Sequence, residues 1–277
     1  MRLYAYLIYF FLYFPIAIIV FFSFNSGKHA SDFQGFSLKW YPKLFDNPFL
    51  IDAFNTSLMV ALISAILAST FGTMAAIGLN NLKGKLRIFY DSLVYISVMI
   101  PGIVIGIATL IALVTLFGFL NPLLASIWPM GLGKAPTLNL GYVSLIGAHT
   151  LFTMSLSILI VRSRLNGMDR NLIEASNDLY GTPIKTFLKI TLPQLFPAIL
   201  SAFLLSFTFS FDDFIIAFFV AGSETTLPVY VFSSIRRGVT PEINAIATLI
   251  LTFTILLLLA SHLLMKYKNY NNKGVKK

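Results

Sequence analysis

The sequence predicts an all-α membrane protein of six transmembrane helices, and three observations carry that prediction. Apolar residues make up 57% of the 277 and charged residues only 11%, against about 25% charged in a soluble globular domain. The apolar residues come in blocks of membrane length, about 20 residues being enough to cross the hydrocarbon core as a helix. Between the blocks, Lys and Arg gather on alternate connections, as the positive-inside rule requires.

The first block, Tyr4–Phe24, is uncharged. It is longer than the about 7–15 residues of a signal-peptide core, and no small-x-small cleavage site follows, so it reads as a retained anchor. The second, third and fourth spans are expected at Ala53–Leu79, Ser92–Leu120 and Leu138–Val161. The fifth begins at Leu192 and runs to Phe211, then on past Asp212 and Asp213 to about Val220; the sixth is Ile243–Met265. Three connections are long enough to carry structure: Asn25–Asp52, Asn121–Thr137 and Ala221–Glu242. In the last, Leu227-Pro228 ahead of Val229-Tyr230-Val231-Phe232 suits a short re-entrant or interfacial helix, and Pro241-Glu242 suits a helix start. No internal repeat of fixed period is visible, which speaks against inverted repeats. The chain divides into a first helix with an external aromatic loop (1–52), a transmembrane core (53–265) containing a cytoplasmic loop (162–193), and a basic tail (266–277).

With the N-terminus taken as cytoplasmic, fourteen Lys and Arg residues fall on that side and six outside, at Lys28, Lys39, Lys43, Lys134, Arg236 and Arg237. Both termini and the 162–193 loop are therefore expected in the cytoplasm. The net charge of +9 is a topology signal and no pointer to nucleic acid. Cysteine is absent, which excludes disulfides, thiolate metal sites and cysteine nucleophiles.

Asp212 and Asp213 are charges set in the apolar run SAFLLSFTFSFDDFIIAFFV, where each costs about 2.5–3.5 kcal/mol at the bilayer centre. Either they mark an ordinary span end in the headgroup layer, or they face a wet cavity; the apolar residues that continue to Val220 favour the cavity. On a continuous helix, neighbours point about 100° apart, so one carboxylate faces the pathway while the other meets a partner helix or a backbone donor. Intramembrane aspartyl chemistry needs a facing carboxylate from another span, and Ile216 stands where an Asp-Asp-x-x-Asp metal motif needs its last acid. His149 reads as a lone, hydrogen-bonded packing residue. Phe33, Phe36, Trp40, Tyr41 and Phe45 form either an interfacial aromatic belt or cation–π contacts for a positive solute. Around Gly133-Lys134, Trp128 and Ala135 occupy positions where a P-loop requires Gly and Ser/Thr. ATP must bind to another chain.

The segment Glu174–Pro193, EASNDLYGTPIKTFLKITLP, reads as two short helices around Tyr180-Gly181-Thr182-Pro183. It is either an amphipathic stretch on the membrane surface or a docking element. Its order of Glu-Ala, turn and Ile-x-Leu-Pro resembles the "EAA" loop of ABC importer permeases. Almost the whole chain resembles the second permease subunit of spermidine/putrescine ABC importers: through Ser23–Ser26, Gly35–Tyr41, the 174–193 loop, Leu205–Asp213 and Gly238–Thr248.

That resemblance implies a type I ABC importer permease fold and ATP-driven polyamine import by alternating access across a bacterial cytoplasmic (inner) membrane. It implies that Trp40, Ser210, Asp212 and Asp213 contribute to polyamine passage. Glu174, Ala175, Ser176, Tyr180, Gly181, Leu192 and Pro193 are implied to contact the ATPase. The implied partners are a sister permease, forming a heterodimer, an ATPase homodimer that binds the ATP and Mg, and an external polyamine-binding protein; the chain itself would hold no cofactor or metal. Another small solute, or a stand-alone channel or membrane enzyme, is the alternative. Two departures from the family stand out. Ser176 replaces the second Ala and Tyr180 the Gly, with Gly181 one residue late, so either the turn has moved or Tyr180 takes the left-handed conformation. Gly102 follows Pro101 where relatives carry an Asp.

Overall fold

The computed structural model describes residues 2–28, 32–129, 133–169, 171–238 and 240–274. Arg170, Val239, Lys276 and Lys277 lie outside the described residues. In chain order the helices are α1 (Arg2–Ser23), α2 (Trp40–Phe45), α3 (Pro48–Asn80), α4 (Gly84–Met99), α5 (Gly102–Ile127), α6 (Tyr142–Asn166), α7 (Asn171–Asp178), α8 (Pro183–Thr186), α9 (Leu192–Asp212), α10 (Ile215–Val220), α11 (Leu227–Arg237) and α12 (Pro241–Gly274). Among the described residues the only extended pairing is one antiparallel bridge, Asn25 to Phe36. Helices dominate because a backbone in hydrocarbon must satisfy its polar groups within its own segment.

Five helices are long and apolar enough to cross a membrane: Tyr4–Ser23, Pro48–Asn80, Gly102–Ile127, Tyr142–Asn166 and Pro183–Asp212. The apolar part of α12, Pro241–Leu256, is a shorter sixth. Two expected boundaries are corrected. The third span does not run unbroken from Ser92, because Pro101 has no N–H to give and drives Ile100 to an extended ψ of 132°. The chain restarts as α5, with Val104 and Ile105 N–H donating to the Pro101 carbonyl at 2.9 and 3.3 Å. The fifth span also breaks: Asp213 takes ψ 117°, so α9 and α10 are separate helices.

Two compact units emerge. One comprises residues 1–51 and 230–277, the other 52–229. In the first, α1 packs along α12 and α2 packs against α12. Asn47 ties its own segment to the start of α12 by donating to Glu242 Oε1 and Tyr230 Oη, both at 2.9 Å. In the connection after α1, Asn25 Oδ1 accepts from Gly27 and Gln34 N–H, each at 3.0 Å. The Trp40 indole N–H donates to the Asn25 carbonyl at 2.7 Å.

In the second unit α6 packs on α9, α4, α10 and α5. Its buried face is small and hydroxylic, with Ser144, Ala148, Thr153, Ser155 and Ser157, the composition that lets membrane helices approach closely. A Cβ on Gly72 of α3 would lie 2.6 Å from Ser157 Cβ. Ser157 also meets Ser206 of α9, Oγ to Oγ 3.0 Å, and Ser144 donates to the Val220 carbonyl at the end of α10 at 2.7 Å. Such interhelical hydrogen bonds contribute about 0.6 kcal/mol each on average. At the other end, Arg162 forms a two-point ion pair with Asp91 of α4, with Nη2 2.9 Å from Oδ2. Arg164 Nε donates to the Gln194 carbonyl of α9 at 3.1 Å.

Candidate functional site: a broken helix and an exposed turn

The break between α9 and α10 is made by Asp213 itself. In an unbroken helix the Ala217 N–H would bond the Asp213 carbonyl; here it donates to the carboxylate Oδ2 at 3.0 Å. A short acidic side chain competes well for such donors, and its charge suits the positive end of α10. The six residues of α10 are seated on α5 where Gly106 leaves room, since a Cβ there would lie 2.7 Å from Phe219 Cδ2. Discontinuous helices of this kind place polar backbone and charge at mid-membrane sites.

The break changes the relation of the two carboxylates. Because the helix stops, the 100° argument does not apply, and the two side chains meet different surroundings. The Asp213 carboxylate accepts a backbone N–H, and its Oδ2 lies 3.5 Å from Nε2 of His149 on α6. Asp212, the last residue of α9, is exposed, and among the described residues it makes no hydrogen bond or ion pair. Ser210 is buried at 4% exposure, with Oγ 2.7 Å from His149 Nδ1. So Ser210 and Asp213 both lie beside His149, which is buried and hydrogen-bonded as expected and has Asp213 as a further neighbour. Ser210 and Asp213, three residues apart, share a face even on a continuous helix; what the sequence does not show is that His149 of α6 stands opposite them.

A second feature went unread although its signal is in the sequence. Phe203, Phe207 and Phe211 recur every four residues on α9 with their rings in near-parallel, offset planes, centroids 6.5 and 5.9 Å apart. Phe54 of α3 meets Phe211 edge-on at 6.1 Å. This aromatic row ends beside Asp212.

Trp40 belongs to the first unit. It is 8% exposed, its N–H is used by Asn25, and Lys39 and Lys43 Nζ each stand 5.1 Å from its ring centroid. Its packing and cation–π capacity are taken up within its own unit.

The turn after α7 ends the helix with a left-handed residue, and that residue is Tyr180, at φ 55°. Gly181 N–H donates to the Ser176 carbonyl at 2.8 Å and Tyr180 N–H to the Asn177 carbonyl at 3.0 Å, the paired bonds of a Schellman cap. A non-glycine residue in this conformation costs about 1–2 kcal/mol. Gly181 is needed for space instead, because a Cβ there would lie 2.7 Å from the Ser176 carbonyl oxygen and 2.4 Å from its Oγ. Ser176 then bonds Thr186 across the turn, Oγ to Oγ1 2.8 Å. Both departures from the family loop thus have a local reason.

Two short helices flank the turn as expected, but the second does not end before Leu192-Pro193. It continues through a wider π-type turn, Phe187–Thr191, into α9. There Leu192 N–H reaches back to the Phe187 carbonyl, a register that accommodates the donor missing at Pro193. Glu174, Ala175 and Pro193 are exposed, while Ser176, Gly181 and Leu192 are half-buried. Around them Leu179 is 82% exposed, Tyr180 96% and Ile184 73%, an apolar crest on a polar segment in which Glu174 and Asp178 balance Lys185 and Lys189. Among the described residues no cluster of three His, Cys, Asp or Glu side chains could hold a metal ion.

Comparison with known proteins follows this geometry. Residues 68–269 match the family model described as binding-protein-dependent transport system inner membrane component. The chain is 34% identical over 268 residues to the spermidine/putrescine transport system permease protein PotC of Escherichia coli strain K12, covering 96% of this chain and 94% of that protein. It is 38% identical over 244 residues to the putrescine transport system permease protein PotI of the same strain, covering 87% and 82%. In fold it matches a chain of the bacterial alginate ABC transporter crystallised with a pentasaccharide-bound periplasmic protein, at TM-score 0.69 and 17% identity over 94% of this chain and 91% of that one. The all-helical architecture, the spans and these matches agree: the chain belongs to the binding-protein-dependent transport system inner membrane components, as a multi-pass permease subunit of an ABC importer.

Proposed function

We propose that this permease carries polyamines, spermidine or putrescine, into the cytoplasm, and that the cargo passes the α9–α10 break. The observation that carries the reading is Asp212, an exposed carboxylate in an apolar span with no partner among the described residues. A charge in that setting costs several kcal/mol unless a cation or a wet cavity meets it. The Phe203–Phe207–Phe211 row leads to it with π faces that suit an ammonium. The names of the two Escherichia coli relatives support the same cargo. Trp40, on this reading, holds the connection after α1 in shape and acts on passage through that structure. Ser210 and Asp213 act from behind Asp212.

The energy comes from a partner ATPase homodimer that binds ATP and Mg. The exposed crest of Leu179, Tyr180 and Ile184, with Glu174 and Ala175 beside it, supports the 174–193 turn as the contact, seated as a helix in a groove. Ser176, Gly181, Leu192 and Pro193 set the shape and exit of that turn. Because α8 and α9 run on as one helix through the Phe187–Thr191 turn, a pull on the turn reaches Asp212 along the helix axis, a lever for alternating access. A sister permease and an external polyamine-binding protein complete the importer, in a bacterial inner membrane with both termini cytoplasmic.

The test is uptake of labelled putrescine and spermidine by the assembled importer in proteoliposomes. Asp212→Asn keeps size and hydrogen bonding but removes the charge, and should lower uptake about tenfold, the equivalent of about 1.4 kcal/mol of barrier. Wild-type uptake by Asp212→Asn, with assembly intact by co-purification of the sister permease, would overturn the reading. So would preferential uptake of a neutral or anionic solute.

A further inference from the structure

We propose that His149 is a positioning residue for the acid pair: it holds the Asp213 carboxylate at the helix break, so that Asp212 alone is left to meet a cationic cargo. This rests on the polyamine reading of the break. His149 sits on α6, 1% exposed, with one ring nitrogen on each side of the problem. Nδ1 is 2.7 Å from Ser210 Oγ. Nε2 is buried, makes no hydrogen bond of its own, and stands 3.5 Å from Asp213 Oδ2. That same oxygen accepts the Ala217 N–H at 3.0 Å.

Buried polar atoms are almost always partnered, so an imidazole between two membrane helices needs a role for both nitrogens. If the Ser210 hydroxyl donates to Nδ1, the ring proton is on Nε2, and the Asp213 carboxylate stands 3.5 Å away as an acceptor. A histidine that only filled space would gain nothing from turning Nε2 towards a carboxylate. The carboxylate is then held from two elements, by the Ala217 and Ile216 backbone N–H groups of α10 and by His149 of α6, and Asp213 cannot swing towards a passing cation. Cargo release benefits from this: one mobile carboxylate can meet an ammonium firmly enough to admit it and weakly enough to let it go.

The asparagine and glutamine variants separate positioning from packing. His149→Gln places an amide nitrogen near the Nε2 position and keeps a donor for Asp213. His149→Asn reaches only as far as Nδ1, keeping the Ser210 contact but losing Asp213. In the assembled importer, with putrescine uptake as readout, His149→Asn should raise KM about fivefold while His149→Gln restores most of the wild-type value. His149→Asn and Asp213→Asn should be strongly non-additive, whereas His149→Asn and Asp212→Asn should multiply, because only the first pair acts as a unit.

Equal KM for the Gln and Asn variants, or fully multiplicative effects of His149→Asn with Asp213→Asn, would overturn the proposal. If His149→Asn does not assemble, Ser210→Ala removes only the Nδ1 partner. It should raise KM about two- to threefold and be non-additive with Asp213→Asn, and a wild-type KM for Ser210→Ala would count against the proposal. Failure of the polyamine reading shows elsewhere, as wild-type uptake by Asp212→Asn alone.

Discussion

Replacing Asp91 by Asn should destabilise the permease through the charge it leaves behind on Arg162. The two side chains meet at two points, and their accessibilities, 25% for Asp91 and 10% for Arg162, make this a partly buried pair. Breaking a buried ion pair from one side costs about 3–5 kcal/mol because the remaining charge is uncompensated, and the partial exposure of Asp91 argues for the lower figure. At about 2–4 °C per kcal/mol for a chain of this size, Asp91→Asn should lower the melting temperature of the assembled importer by about 6 °C or more. The double variant Asp91→Leu, Arg162→Leu removes both charges and should recover most of the loss.

Thermal unfolding of the purified complex at several pH values is the assay. Arg162, by its hydrogen bond, holds the Asp91 carboxyl below the usual carboxylate range against an opposing desolvation. A depressed folded-state value means that the pair's contribution is full above the unfolded value, about 3.9. It is lost as pH falls through the folded one. Asp91→Asn should therefore differ most from wild type at neutral pH and converge with it at acid pH. A melting temperature within 2 °C of wild type at pH 7, or a double variant less stable than the single, would refute the reasoning.

The other predictions are more local. Gly181→Ala should weaken co-purification of the ATPase, because the new Cβ would stand 2.7 Å from the Ser176 carbonyl oxygen; Tyr180→Gly should relieve about 1–2 kcal/mol of left-handed strain and leave the turn folded in circular dichroism and limited proteolysis. Gly102→Asp puts a carboxylate in the first turn of α5, where a Cβ meets only the Ile215 side chain at 3.8 Å; competition uptake should shift towards the more highly charged polyamine, and an unchanged ratio would count against it. In intact cells an impermeant thiol reagent should label a cysteine at Lys39 and spare one at Lys83, the native chain having no cysteine; labelling at Lys83 would reverse the topology.

The spans and the family were legible in the sequence because both depend on composition read over long windows. Apolar blocks of membrane length have one stable state in lipid, so Tyr4–Phe24 and Ala53–Leu79 fall within a few residues of α1 and α3. The helix start at Pro241-Glu242 was likewise local chemistry, with the acid then held by Asn47 at 2.9 Å. The two broken spans do not show in the apolar pattern. At Ile100-Pro101 the break is local chemistry, proline sterics set inside an apolar run. At Asp213 it depends on whether the carboxylate or the carbonyl takes the Ala217 N–H, which no local pattern in the sequence decides.

The turn divides in the same way. Sequence alone determined that a turn lies between Leu179 and Pro183, since Gly and Pro punctuate a helix wherever they occur. Only the tertiary structure decided that Tyr180 takes the left-handed conformation while Gly181 is kept for space, because that choice is made by the Ser176 carbonyl packed 2.7 Å from any Cβ at 181. For the acid pair, the sequence determined that two carboxylates stand in an apolar run. Which is tied and which is free was decided in three dimensions, by α6 bringing His149 to Asp213 and nothing among the described residues to Asp212. Hydrophobic pattern acts along the chain and can be read along it; the partnering of a buried polar atom depends on what another helix brings within about 3 Å.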